Sequence, residues 1–330
     1  MPLISLDDIY TVAEQALSQH GAGAFQAAEV AKAVRVAESV GNKICGLYYL
    51  ESYCQQLVSG RVNGRVDPVV EHPRGGEISV DAGFGFAQPA FTRALPAAIE
   101  AARTQGVARL SVCHAHTCTS LGFFTEQIAR AGLIALGFTN ASPIVAPPGG
   151  KRRVIGTNPM AFSVPDGAGG VAMQFDQSTT TVALGKITMA KAAGNSIPTG
   201  WAVDSEGQPT TDPSAALTGS LVSVGGMESG YKGWGFGLMV EILAAGLTGG
   251  AFSRDVKPLK APTGAPHDLG QFYVLIDANS TPDFAQRIVE LGEAVAQDDG
   301  ARMPGQGKRI QDPVDLEDAV WAQACSLAGR

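Results

Sequence analysis

Phe236, Val240, Leu243 and Leu247 recur at the spacing of one helix face, which predicts a helix from about Trp234 to Thr248. Short apolar runs broken by turn residues fill the middle of the chain. They predict strands at Glu77–Val80, Ala108–Cys113, Leu133–Thr139, Met160–Val164, Val171–Phe175 and Gln271–Ile276. Between them, helices are expected at about Pro89–Arg103, Thr119–Ala131, Val182–Ala193 and Asp283–Gln297, with a further helix at the C-terminal end. Ser5, followed by Asp7 and Asp8, reads as an N-cap with acids in the first turn, opening a helix to about His20-Gly21. Helices at about Ala24–Ser39 and Leu47–Ser59 follow, the second closing on Gly60. The first sixty residues therefore form a helical layer that must cover something else. Turn-rich stretches at Pro198–Pro213, Ser253–Asp268 and Arg302–Asp312 read as loops.

This alternation is that of a mixed α/β protein. We expect a helical N-terminal layer over 1–75 packing with 270–330, a central body over 76–269, and a C-terminal part over 270–330 with one strand and helices. Composition sharpens the class: 45% hydrophobic and 17% charged residues in a chain of 330 exclude disorder. Forty-one glycines and nineteen prolines are too many for a helical bundle and carry no collagen period. With 24 Lys+Arg against 31 Asp+Glu and no dense basic stripe, neither nucleic acid nor an anionic membrane is expected as partner. Five cysteines, an odd number without Cys-x-x-Cys pairing, suggest neither a disulfide framework nor a zinc knuckle. No leader and no long apolar run stand out, so a cytoplasmic protein is expected.

The candidate chemistry lies in four segments. No G-x-G-x-x-G follows an early strand, and Gly83-Phe84-Gly85 lacks the third glycine, so a Rossmann dinucleotide site is not expected. Gly230-Tyr231-Lys232-Gly233 stands directly before the predicted Trp234 helix, where free N–H groups favour an anion and Lys232 adds a charge. Met303 to Arg309 forms a second glycine-rich basic loop, and two such loops point to a phosphate-bearing cofactor. His114 and His116 end a strand, but His20, His72 and His267 are scattered along the chain, and no metal is expected. Asp176-Gln177-Ser178-Thr179-Thr180-Thr181 is polar and of helix-capping composition.

Gly156-Thr157-Asn158-Pro159-Met160-Ala161-Phe162, together with Pro147-Pro148-Gly149-Gly150-Lys151, resembles the G-T-N-P-x-A-F signature of the type-2 malate/L-lactate dehydrogenase family. The segments Ile197 to Pro213, Gly230 to Gly233, Val240 to Leu243 and Arg302 to Gly305 are similar to family segments in the family's order. The resemblance implies a family-specific, non-Rossmann NAD(P)-binding α/β fold with a mixed, largely antiparallel sheet, and a homodimer with its active site near the subunit boundary. It implies NADP, or NAD, as cofactor. Family members act on 2-oxo acids, diketo sugar acids, sulfopyruvate, ureidoglycolate or cyclic imines such as Δ1-pyrroline-2-carboxylate and Δ1-piperideine-2-carboxylate, so the fold does not choose the substrate.

Carried over by residue, the implied cofactor contacts are His116 and Thr117, Asp176, Gln177 and Ser178, Tyr231 and Lys232, and Gly305, Gln306, Gly307, Lys308 and Arg309. Thr157, Leu184 and Gly185 match substrate-lining positions. Many family members have a Ser-His-Gly-x-x-Arg motif that supplies the proton and grips the carboxylate. Here Ile44, Cys45 and Tyr49 stand for its serine, histidine and arginine, and Lys186 for a distant aspartate. Cys45, Lys186 and His116 are thus the catalytic candidates, and Tyr49 joins the substrate-binding set. A cyclic imine already protonated as an iminium needs no oxygen-directed acid, so loss of the histidine leads us to expect reduction of a cyclic 2-imino carboxylate. A malate/lactate-type dehydrogenase, or a cofactor binder without turnover, is the alternative.

Overall fold

A computed structural model describes residues 2–330. The N-terminal layer comprises strand β1 (Leu3–Ile4) and helices α1 (Leu6–Gln19), α2 (Ala24–Ser39) and α3 (Leu50–Val58). Ser5 does cap α1, its side chain accepting from the Asp8 N–H at 3.1 Å. The expected third helix starts late: two 3₁₀ turns, Lys43–Cys45 and Leu47–Tyr49, precede α3. They bend around the buried Glu38 carboxylate, which accepts from the Leu47 N–H at 2.8 Å.

Next come β2 (Val69–Arg74), β3 (Glu77–Asp81), α4 (Ala87–Gln105), β4 (Val107–Ala115), α5 (Leu121–Arg130), β5 (Leu133–Thr139), β6 (Met160–Pro165) and β7 (Val171–Gln177). The 198–213 segment, expected as loop, lies in a small subdomain. It holds α6 (Leu184–Ala192), β8 (Ala202–Val203), β9 (Pro209–Thr210), α7 (Pro213–Thr218) and β10 (Ser220–Leu221), with the three strands forming a sheet. Helix α8 (Gly226–Glu241) is followed by a π-helical turn, Ile242–Gly246, then β11 (Leu269–Asp277), α9 (Phe284–Val295), β12 (Val314–Asp315) and α10 (Asp318–Leu327).

The main sheet has seven strands in the order β2-β3-β4-β11-β5-β6-β7, and only β3 and β4 run parallel. It is mixed and largely antiparallel, as the resemblance implies. Leu110, Tyr273, Phe91 and Phe124 fill the core between the sheet and helices α4 and α5. A second core joins α1, α2 and α3 to α10 through Leu17, Tyr53, Val314 and Leu316. The 270–330 segment does not stay together: β11 lies in the middle of the main sheet, while α10 packs on the N-terminal helices. The chain must return there because β4 and β5 each leave an edge that β11 satisfies with backbone hydrogen bonds.

The α8 boundary is the largest departure from expectation. Gly230, Tyr231, Lys232 and Gly233 lie inside the helix, so they offer no free helix N-terminus to an anion. Their glycines serve packing. A methyl at Gly233 would stand 2.4 Å from the Val224 carbonyl oxygen, and one at Gly237 2.6 Å from Ile155 Cδ1. Only a side chain of hydrogen lets the helix lie this close to the 222–224 segment.

Candidate active site

Several elements meet around His116. The 3₁₀ turn carrying Cys45 is seated against the start of α6, where a methyl at Gly185 would come within 3.2 Å of Ile44 Cδ1. From that turn a ladder of rings runs inward. Tyr49 stacks on Tyr53 at 5.9 Å, and Tyr53 meets the edge of His116 at 6.2 Å and of Phe86 at 5.4 Å. His267, scattered in the sequence, is brought to 5.5 Å from His116.

His116 is 1% exposed, and neither of its ring nitrogens has a hydrogen-bond partner. The Tyr53 hydroxyl is likewise buried and unpartnered. Such orphaned groups are costly unless a bound molecule satisfies them. Burial, reinforced by His267 and Arg61, holds the His116 pKa well below the usual imidazole range, so the ring is neutral at pH 7. Burial likewise lowers His267 to about 4, and its Nδ1 donates to the Lys257 carbonyl at 2.6 Å. Burial, with Asp176 adding to it, pushes the Cys45 thiol up to about 12, and Tyr49 also rises to about 12, chiefly from burial. Cys45 is therefore a thiol and not a nucleophilic thiolate.

These two histidines set an acid limit on stability. Each is neutral when folded but takes up a proton in the unfolded chain below about pH 6.5, so their stabilisation is whole above that pH and drains as pH falls. Stability should therefore fall progressively as pH drops from about 6.5 toward 5, with both histidines contributing. Thermal melts across this range check it: His267→Gln should reduce the slope, and a flat wild-type profile would contradict the buried-neutral assignment.

Asp176, at the end of β7, accepts from the Gly122 N–H at 2.7 Å and the Ser120 hydroxyl at 3.0 Å, so it caps α5. Gln177 is exposed, and the Ser178 hydroxyl lies 2.9 Å from Thr180 Oγ1 within the following turn. Thr157 holds that turn in turn: its carbonyl accepts from the Thr179 N–H at 2.9 Å and hydroxyl at 3.0 Å. Asn158, fully buried with φ 38°, donates to Glu241 Oε2 at 2.7 Å and to the Gly237 carbonyl at 3.0 Å. Glu241 also accepts from the Ser253 N–H at 2.6 Å and hydroxyl at 2.5 Å. This buried network, not visible as a site in the sequence, ties Thr157 to α8.

The 303–309 loop docks on β7. Gln174 N–H donates to the Pro304 carbonyl at 3.0 Å, and Lys308 Nζ donates to Gln174 Oε1 at 3.2 Å. Gly305 takes φ +84° and presses on Gln174, whose carbonyl oxygen would lie 2.8 Å from an added methyl. Gln306 Oε1 accepts from the Met303 N–H at 3.0 Å, and Gly307 takes φ 78°, so the loop is braced from within. Among the described residues Lys308 and Arg309 form no salt bridge; both are exposed, and the Lys308 charge is felt at Asp176. That donor set fits the phosphates of NADP. Tyr231 and Lys232 stand apart on exposed α8 positions, Lys232 Nζ 5.8 Å from the Tyr231 ring, with no hydrogen bond to this loop. Thr117 is buried with φ 45° directly after His116. His114 turns the other way: its Nδ1 pairs with Asp81 Oδ1 at 3.0 Å, and Cys113 Sγ lies 3.6 Å from the same nitrogen. Lys186 is exposed in the first turn of α6, next to the Ile44 turn.

Sequence reasoning missed Tyr53, Arg61 and His267. Arg61 is 2% exposed and gives its guanidinium to four backbone carbonyls, those of Pro258, Leu259, Ala261 and Ala265, at 2.6 to 3.1 Å. It fixes the 258–265 loop, whose Lys260 reaches Tyr48 and which leads to His267 beside His116. Apart from the local Tyr49–Tyr53 stack, these contacts span long sequence separations, and no local pattern announces them.

Known proteins share this fold. The profile of the malate/L-lactate dehydrogenase family matches residues 4–323. The chain is 37% identical over 334 residues to a (2R)-3-sulfolactate dehydrogenase (NADP(+)) of Chromohalobacter salexigens, covering 98% of each chain. It is 33% identical to a Δ1-pyrroline-2-carboxylate/Δ1-piperideine-2-carboxylate reductase of Pseudomonas putida, covering 99% of this chain and 95% of that one. The crystal structure of the Δ1-piperideine-2-carboxylate reductase of Pseudomonas syringae pv. tomato superposes with a TM-score of 0.90 at 32% identity, covering 99% of this chain and all of the other. With its signature turn, sheet order and nearly full-length matches in agreement, the chain belongs to the malate/L-lactate dehydrogenase family.

Proposed function

We propose that the protein is an NADPH-dependent reductase of a small cyclic 2-imino carboxylate, Δ1-pyrroline-2-carboxylate or Δ1-piperideine-2-carboxylate. One observation carries the reading: the two buried imidazoles, His116 and His267, are neutral at pH 7, and burial makes the Cys45 thiol and the Tyr49 hydroxyl weak acids, both pushed up to about 12. A 2-oxo acid becomes an alkoxide on reduction and needs a ready proton donor, whereas an iminium brings its proton with it. The relatives named as reductases of these imines support it.

In this reading Lys308, Arg309 and the Gly305–Gly307 backbone hold the cofactor phosphates, and Gln177, Ser178 and Thr117 lie along its length. Bound NADPH supplies the hydride. Thr157, Leu184 and Gly185 wall the substrate and set its face, the neutral His116 donates one ring N–H toward it, and the Asp176 carboxylate beside Cys45 favours a cationic imine. Cys45 and Tyr49 contribute neutral S–H and O–H groups. Incubation with NADPH and each imine should yield proline or pipecolate in step with NADPH oxidised, and absence of both products would sink the proposal. A second reading, oxidoreduction of a sulfonated 2-hydroxy acid, is favoured by the 37% identical sulfolactate dehydrogenase and by two lysines, Lys186 and Lys260, that lack carboxylate partners among the described residues.

No helix among the described residues is long and apolar enough to cross a membrane. The five free cysteines suit the reducing cytoplasm in which we place the protein. Met227, Tyr231, Leu238 and Ile242 are exposed along one side of α8 and its π turn, and Phe236 and Leu247 lie exposed nearby. So large an apolar face needs a cover, and we assign it to a second copy of the chain. Sedimentation should give twice the 34.0 kDa chain mass, and Ile242→Lys should shift it toward one.

A further inference from the structure

A small carboxylate reduced beside His116 needs a cation to receive it, yet the buried cation there is already committed. The Arg61 guanidinium donates to four carbonyls of the 258–265 loop, and both nearby histidines are neutral. The loop that Arg61 binds carries a lysine back over the site. Lys260 Nζ stands 3.7 Å from the ring centroid of Tyr48 and 5.3 Å from that of Tyr49. Tyr49 is the outer rung of the ladder that leads through Tyr53 to the unpartnered His116.

We propose that Lys260 forms the anion subsite that receives the substrate carboxylate. This rests on the reading of the region around His116 as the place where a small carboxylate is reduced. Its placement is fixed before any ligand arrives. Besides Arg61, the buried Gln56 side chain donates to the Leu259 and Ala261 carbonyls at 2.5 and 2.9 Å, and the Ser59 hydroxyl to that of Pro262 at 2.7 Å. These bonds all run to backbone, so the loop is held whatever the side chain at 260, and the ammonium lies on two aromatic faces with its charge unspent among the described residues. A carboxylate displaces little to reach it, because the ordering cost is met within the fold. Lys186, the other lysine of this region, is exposed at the start of α6 as Lys260 is on its loop, but it has no brace of this kind.

The test uses pyrrole-2-carboxylate, a planar anion that cannot accept hydride, bound to the enzyme–NADPH complex and followed by calorimetry. Lys260→Met should weaken it by about 10- to 100-fold, the range for loss of a charged hydrogen bond. Lys260→Arg should stay within a few-fold of wild type, while NADPH affinity and melting temperature hold in both variants. KM for whichever carboxylate is turned over, imine or 2-oxo acid, should rise in Lys260→Met with little change in kcat. Preference for a 2-oxo acid would therefore overturn the imine reading without touching this one. Unchanged affinity in Lys260→Met, loss in Lys186→Met instead, absence of binding to wild type, or a Lys260→Met loss shared by NADPH would each overturn the subsite.

Discussion

Glu241→Ala should lower stability by about 3–5 kcal/mol, seen as a melting temperature reduced by roughly 5 °C or more. The carboxylate is 6% exposed and accepts from the Asn158 amide, the Ser253 N–H and the Ser253 hydroxyl. Truncation leaves the buried Ser253 N–H without a partner and strips Asn158 of one of its two acceptors, and water enters such a cavity poorly. The effect does not stop at stability. Asn158 holds its left-handed backbone only while both of its bonds to α8 persist, and Thr157 precedes it in the same turn. The variant should therefore also lose substrate affinity, and Glu241→Gln, which offers a donor where donors already point, should fall between it and wild type. A Glu241→Ala protein as stable as wild type would show that the network is not what holds the turn.

The second large effect concerns the cofactor. Replacing Lys308 and Arg309 together by alanine should weaken NADPH binding by about 100-fold or more, as two charged hydrogen bonds are lost. Lys308 has only the Gln174 side chain as partner and Arg309 has no acid, so removing them costs the free protein little. The loss therefore appears in binding and not in folding. If the pair reads the 2′-phosphate, NADH affinity should change by less than about threefold in the same variant. Fluorescence titration with both nucleotides decides it, and equal binding of NADPH by variant and wild type would remove the loop from the cofactor site. Lys232→Ala, on the exposed middle of α8, should matter less to NADPH than either loop residue.

Much of the frame was legible because it rests on local pattern. The apolar run Leu133–Thr139 is β5 as observed, and Ser5 with its two acids caps α1. What escaped depended on distance or on ambiguity. Val69–Arg74 is an edge strand exposed along most of its length and interrupted by Pro73, so it shows no alternation to read. The glycines of α8 look like a loop in sequence, and their helix-packing role appears only when Val224 and Ile155 are in place. Ile44, Cys45, Tyr49 and Lys186 stand out in the sequence only through the family resemblance. Their chemical meaning could not be read there, since Lys260 and His267 come from more than two hundred residues beyond Cys45, on a loop that Arg61 holds across a similar separation.

The central claim is that this site, poor in ready acids, reduces an imine better than a ketone. It is tested most directly by kcat/KM with NADPH for Δ1-pyrroline-2-carboxylate and Δ1-piperideine-2-carboxylate against pyruvate, oxaloacetate and sulfopyruvate under one set of conditions. The account predicts that at least one imine exceeds all three 2-oxo acids by tenfold or more, about 1.4 kcal/mol of transition-state stabilisation. A higher kcat/KM for any of the 2-oxo acids than for both imines would contradict it.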